Sequence, residues 1–179
     1  MVTELDVLRI VSERLQQQSV PFMLTGSFAL AYYATPRMTR DLDIVVALRS
    51  TEVGGLVAAF SGDFYLDPEA ARLAVQTQRL FNLLHLASGI KVDFVVRKSS
   101  EYRRLEFERR ALVQLAGVRT WIVSREDLIL SKLVWARDAA SELQLRDVRA
   151  LLQGAVDADY LSRWAAELGV SAQLQAASN

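Results

Sequence analysis

The sequence predicts an α+β protein, a mixed sheet of about five strands covered by helices and followed by a helical C-terminal third. Three observations carry this. Apolar runs of strand length occur at 21–25, 41–47, 80–87 and 91–97. Helical periodicity fills the intervals between several of them. Beyond residue 123 only helical spacing remains, and no internal repeat or low-complexity linker interrupts the chain.

In order, residues 3–18 begin at Thr3 and place Leu5, Leu8, Ile10, Val11 and Leu15 at helical spacing, which predicts an amphipathic helix. Pro21 starts a strand through Thr25. Gly26-Ser27 turns that strand into a small-residue helix over 28–34, which Thr35-Pro36 ends. A second strand follows over 41–47, then a helix over 51–60 that Gly62 breaks. Asp67-Pro68-Glu69 opens a helix through Val75. The runs 80–87 and 91–97, joined by Ser88-Gly89, predict a hairpin. A helix over 99–108, short strands at 111–115 and 118–123, and helices at 124–139, 142–153 and 157–168 complete the chain before a frayed C-terminus. Ser124-x-x-Asp127 has the spacing of a capping box. We expect a core over 1–123 and a helical region over 124–179 packed on it as one compact unit.

At 179 residues the chain is long enough to bury a core. Lys plus Arg and Asp plus Glu balance at 21 each, so no global field favours nucleic acid, membrane or an acidic partner. The absence of cysteine excludes disulfides and thiolate metal sites and fits a cytoplasmic protein. The single histidine, His85, excludes a His-rich metal centre and reads as a core or hairpin residue. No apolar run approaches the roughly 20 residues that span a bilayer, so no signal peptide or membrane segment is expected.

The chemistry concentrates in Leu24 to Val46. Alternation along a strand puts Asp41 and Asp43 on one face and Leu42, Ile44 and Val46 on the buried one. Two carboxylates side by side repel each other unless water or a cation compensates them, and hard oxygen ligands suit Mg²⁺ or Mn²⁺. A third carboxylate, Asp93, stands in the apolar run KVDFVV about fifty residues downstream and joins the pair if its strand neighbours theirs. It also reads as an edge-strand carboxylate paired with Lys91. Gly26 and Ser27 form a turn at a helix N-terminus, where backbone amides can approach an anion. Arg37 and Arg40 are phosphate partners or local partners of the aspartates. Lys132, in an apolar helix, either snorkels along the core to water or enters a cleft. Residues 97–110 hold six Lys or Arg against three Glu, a modest basic patch.

In joint order and spacing, Leu-Thr-Gly-Ser, a small-residue helix, Arg-x-x-x-Asp-x-Asp and a later Val-Asp-Phe resemble the nucleotidyltransferase superfamily typified by DNA polymerase beta and the minimal bacterial enzymes. The resemblance covers residues 22–97. It implies a nucleotidyltransferase fold and transfer of a nucleoside monophosphate from an NTP such as ATP to an acceptor hydroxyl on tRNA, protein or a small molecule. Asp41, Asp43 and Asp93 would be catalytic and hold Mg²⁺ or Mn²⁺. Gly26, Ser27, Arg37 and Lys132 would bind the nucleotide. The segment from Ser124 to Leu152 is further similar to nucleotidyltransferase toxins of abortive-infection and toxin–antitoxin systems, which implies a cognate antitoxin partner. There Lys132 and Asp147 match active-site positions, with Ala150 where a second aspartate of that motif would fall. Two other classes remain. One is a catalytically inactive member that binds a nucleotide or partner, against which all three aspartates argue. The other is a glycosyltransferase using Asp-x-Asp, against which the Gly-Ser turn argues.

Overall fold

A computed structural model describes residues 2–34 and 41–178, so Arg37 and Arg40 lie outside the described residues. The elements run α1 (Glu4–Gln17), β1 (Phe22–Thr25), α2 (Gly26–Tyr33), β2 (Asp41–Val46), α3 (Val53–Phe60), β3 (Phe64–Leu66), α4 (Pro68–Thr77), β4 (Leu80–His85), β5 (Lys91–Val96), α5 (Glu101–Glu108), β6 (Ala111–Leu115), β7 (Val118–Ile122), α6 (Arg125–Ala139), α7 (Glu142–Leu152), α8 (Ala158–Glu167) and α9 (Ser171–Ser178). Helix starts follow local chemistry. Thr3 and Asp6 form a reciprocal capping box on α1. The Asp67 carboxylate accepts from the amides of Glu69 and Ala70, with Pro68 in the first turn of α4.

The sheet has seven strands in the order β3-β4-β5-β2-β1-β7-β6, not about five. Phe64–Leu66 is the strand that sequence patterning misses, because three residues are too few to display alternation. The C-terminus does not fray after residue 168. Residues Ser171–Ser178 form α9, which packs on α7 and α8 and buries Ala177. Its small, polar composition offers little periodicity, so its helix is decided by the surface it lies on.

One sheet face is the core. Leu42, Ile44, Val92 and Phe94 are fully buried there, and Phe60 of α3 meets Phe64 and Phe94 edge-on at 5.2 and 5.9 Å between centroids. His85 belongs to this face, buried and hydrogen-bonded through Nδ1 to Ser88 Oγ at 2.8 Å. Strand β2 runs antiparallel to β1 and parallel to β5. Its central place is why β2 and β5 carry apolar side chains at every second position, while their other face carries the charged ones.

The helices of the last third are tied to the sheet through buried polar groups. Tyr33 of α2 donates its hydroxyl proton to the Val123 carbonyl at 2.8 Å, and burial pushes its pKa up to about 12. Asp127, fully buried, accepts from Ser124 Oγ, Arg109 Nε and Tyr160 Oη at 2.6, 3.0 and 2.7 Å. These bonds join the start of α6 to the end of α5 and to α8, so α6 is held at a defined place over the sheet. No helix among the described residues is long and apolar enough to cross a membrane.

Candidate active site

The face of the sheet opposite the core carries the aspartates. The β2–β5 register sets Asp43 against Asp93 and Asp41 against Lys91, while the β1–β2 register sets Thr25 against Asp43. Side chains paired across neighbouring strands share a face. Asp41, Asp43 and Asp93 therefore converge beside the turn after β1.

Gly26 sits at that turn with φ +64°, the left-handed region that favours glycine. A Cβ placed there would lie 2.0 Å from Asp43 Oδ2, so the carboxylate occupies the space a side chain would need. Gly26→Ala is expected to cost on the order of 2 kcal/mol or more from backbone strain and the displaced carboxylate together. Gly89, at φ +69° with open space around it, supplies the control. Gly89→Ala should lose only the backbone part, so equal drops in thermal midpoint for the two variants would refute the contact with Asp43. Ser27 lies buried in the first turn of α2, and the cleft described below is lined by Thr25 and Gly26 but not by Ser27.

The electrostatics of the cluster follow from burial and like charge. Asp43 is raised to about 6, first by desolvation and then by Asp93 and Asp41, with Lys132 and Lys91 opposing. Lys91 Nζ stands 3.1 Å from Asp93 Oδ2 and 3.6 Å from Asp41 Oδ2, and the two carboxylates hold its pKa above the usual lysine range. Asn82 Nδ2 donates to Asp93 Oδ1. Among the described residues no three histidine, aspartate or glutamate side chains already stand in an arrangement that holds a metal ion. The donor chemistry is nevertheless of the kind that suits a divalent cation, since three hard carboxylates share a face and Asp43 is raised first by burial and then by Asp93 and Asp41. Lys91, 40% exposed, provides positive charge there now.

Lys132 neither snorkels to water nor stands alone in the cleft. Only 3% exposed, it donates from Nζ to Asp147 Oδ2 at 2.8 Å and to Gln144 Oε1 at 3.0 Å. Its charge also lowers the pKa of Asp43, so the ammonium belongs to both the α6–α7 interface and the carboxylate cluster.

From Thr25, Gly26 and Asp43 a cleft of about 240 Å³ runs between the sheet and α5–α6. Val45 and Val95 supply strand walls, and Leu128, Ser131, Lys132 and Trp135 line it from α6. Spacing of three and four puts those α6 residues on one stripe, the sequence signal that points to Trp135. Arg97, Lys98 and Arg103 also line the cleft, so part of the basic patch at 97–110 faces it.

The α+β fold built on this sheet is similar to that of solved nucleotidyltransferase-like structures. Three solved structures make the likeness specific. The chain is similar to an antigenic nucleotidyltransferase-like protein from Paracoccidioides brasiliensis, with 16% identity, 97% of this chain and 91% of that one covered, and a TM-score of 0.60. It is similar to the antibiotic-resistance factor ANT(2'')-Ia in complex with adenylyl-2''-tobramycin, at 13% identity, 90% and 94% coverage and a TM-score of 0.59. A Thermotoga maritima protein described as a putative nucleotidyltransferase matches at 19% identity, 78% and 88% coverage and a TM-score of 0.55. No protein-family model and no curated protein matches the chain.

Proposed function

We propose that the protein transfers a nucleoside monophosphate from an NTP to an acceptor hydroxyl and releases pyrophosphate. The observation that carries this reading is the meeting of Asp41, Asp43 and Asp93 beside the Gly26 turn, at the head of a cleft lined with cations. In the reaction the acceptor oxygen bonds to the α-phosphorus, the bond from that phosphorus to the bridging oxygen breaks, and pyrophosphate leaves. Asp93 accepts the hydroxyl proton, oriented by Asn82, which donates to its other oxygen. The Gly26-Ser27 turn and Lys132 hold the phosphates of the nucleotide, with Arg37 as a further phosphate partner. Asp41, Asp43 and Asp93 would hold Mg²⁺ or Mn²⁺, which supplies neutralisation of the phosphates and acidification of the hydroxyl. The protein's own part is positioning and electrostatics.

Two acceptor readings have an observation each. Relatives in fold include ANT(2'')-Ia with adenylylated tobramycin and a lincosamide antibiotic adenylyltransferase bound to lincomycin, which favours a small-molecule hydroxyl. The Lys132–Asp147 pair favours a cytoplasmic toxin-type enzyme with an antitoxin partner and a tRNA or protein acceptor. Each of the four labelled NTPs, supplied with Mg²⁺ or Mn²⁺ and either tRNA, cell protein or a set of hydroxylated antibiotics, should mark one acceptor class. Nucleotide binding without label transfer to any of them would overturn the catalytic reading in favour of a binding protein of the same fold.

A further inference from the structure

Among the described residues, Arg103 is a cation of the cleft whose guanidinium is fixed by groups that also line it. Its Nη1 donates to Glu106 Oε1 and Oε2 at 2.9 and 2.8 Å and to Ser131 Oγ at 2.6 Å. Ser131 Oγ in turn donates to Glu106 Oε1 at 2.7 Å. Glu106 is 3% exposed, so this triangle is a buried anchor and not a surface ion pair. Every side-chain hydrogen bond that Arg103 makes among the described residues passes through Nη1, while its backbone amide donates to Ser100 Oγ. Nε and Nη2, the other fork of the same plane, remain as two parallel donors on a residue that lines the cleft.

The rest of the cleft suits a flat ring. Val45, Val95 and Leu128 give apolar walls, and Trp135, 54% exposed, presents an indole face that the core does not use. An exposed tryptophan at a cleft rim is the stacking partner that every nucleobase accepts. Gly26 and Asp43 line the same cleft as these walls, so with the phosphates held beside Gly26, as in the reading above, the base of a bound nucleotide lies against them.

We propose that this cleft is a nucleobase pocket in which Trp135 stacks the base and Arg103, held by Glu106 and Ser131, reads its edge. The inference rests on the nucleotidyltransferase reading and adds base selectivity to it. A guanidinium fork donates twice and accepts nothing, so it selects an edge with two adjacent acceptors. Guanine offers O6 and N7, and cytosine offers O2 and N3. Adenine sets an amino group beside N7, and uracil sets N3–H between its carbonyls, so both leave one donor of the fork unmatched.

Equilibrium binding of GTP, CTP, ATP and UTP to the whole protein with Mg²⁺ and no acceptor tests this without requiring transfer. GTP or CTP should bind about tenfold tighter than ATP and UTP, the scale of one bidentate contact, and which of the two leads identifies the edge that is read. Arg103→Lys retains the charge beside buried Glu106 but loses the fork, so it should fold and bring the four affinities to within about twofold of one another. Trp135→Ala, at an exposed position, should weaken all four by about tenfold. Equal affinities in the wild type, or an unchanged ranking in Arg103→Lys, would overturn the edge reading while leaving nucleotidyl transfer standing. Uniform weakening in Arg103→Lys would make Arg103 a phosphate contact and also overturn it. Unchanged binding in Trp135→Ala would remove the stacking wall. Failure of all four NTPs to bind would sink the parent reading together with this one.

Discussion

Asp43→Asn is expected to reduce NTP-dependent transfer by at least about a hundredfold while making the protein more stable at neutral pH. Function and stability pull apart here because the feature that makes Asp43 useful is the one that makes it costly. Its carboxyl is largely removed from water and faces Asp93 and Asp41, which together raise its pKa from 3.8 to about 6. A carboxyl with a raised folded-state pKa favours folding in its protonated form. That contribution is complete below about pH 4 and is lost as the pH rises through 6. Above that point the wild type carries an ionised Asp43 at a cost on the order of 2 kcal/mol, which asparagine avoids. The gain of the variant should therefore grow between pH 4 and 6 and then level off. At pH 8 it corresponds to a rise in midpoint of about 4–8 °C for a domain of this size. Thermal melts of both proteins across pH 4–8 without divalent ions give the measurement. A variant that is less stable at pH 8 and retains transfer would show Asp43 to be a structural residue.

Lys132→Met should have the opposite signature, losing stability as well as nucleotide affinity. Methionine is a good helix former and covers similar apolar surface, so on helix and packing grounds alone the exchange is mild. The ion pair changes this. Lys132 and Asp147 are both 3% exposed and 2.8 Å apart, and removing the ammonium leaves a buried carboxylate without that partner. Breaking such a pair costs about 3 kcal/mol, or a midpoint lower by about 6–12 °C. Adding Asp147→Asn to Lys132→Met removes the buried negative charge that the ammonium had compensated and should recover much of that loss. NTP affinity, if Lys132 holds phosphate, should stay about ten- to a hundredfold weaker in the double variant as in the single one. Recovery of both stability and affinity in the double variant would make Lys132 a structural residue and count against the toxin-type proposal.

Strands β1, β2, β4 and β5 and the amphipathic α1 were legible because each is long enough to show its period, and the caps at Thr3, Asp67 and Ser124 are local chemistry. Strand β3 and helix α9 were not, since three residues and a small polar segment carry too little periodicity. For the site, the sequence by itself determined that Asp41 and Asp43 share a face, because alternation is a property of one strand. It determined too that glycine stands at the turn beside them. Whether Asp93 met them depended on which strands paired, and only the parallel β2–β5 register decided that. Lys132, Asp147, Arg103 and Trp135 lie on helices whose neighbours are distant in sequence, so their partners and exposure were set by the packing of α6 on α5, α7 and the sheet. The physical reason is range: backbone geometry repeats within a few residues, whereas the desolvation and pairing that give a charged group its chemistry depend on whatever the fold brings beside it.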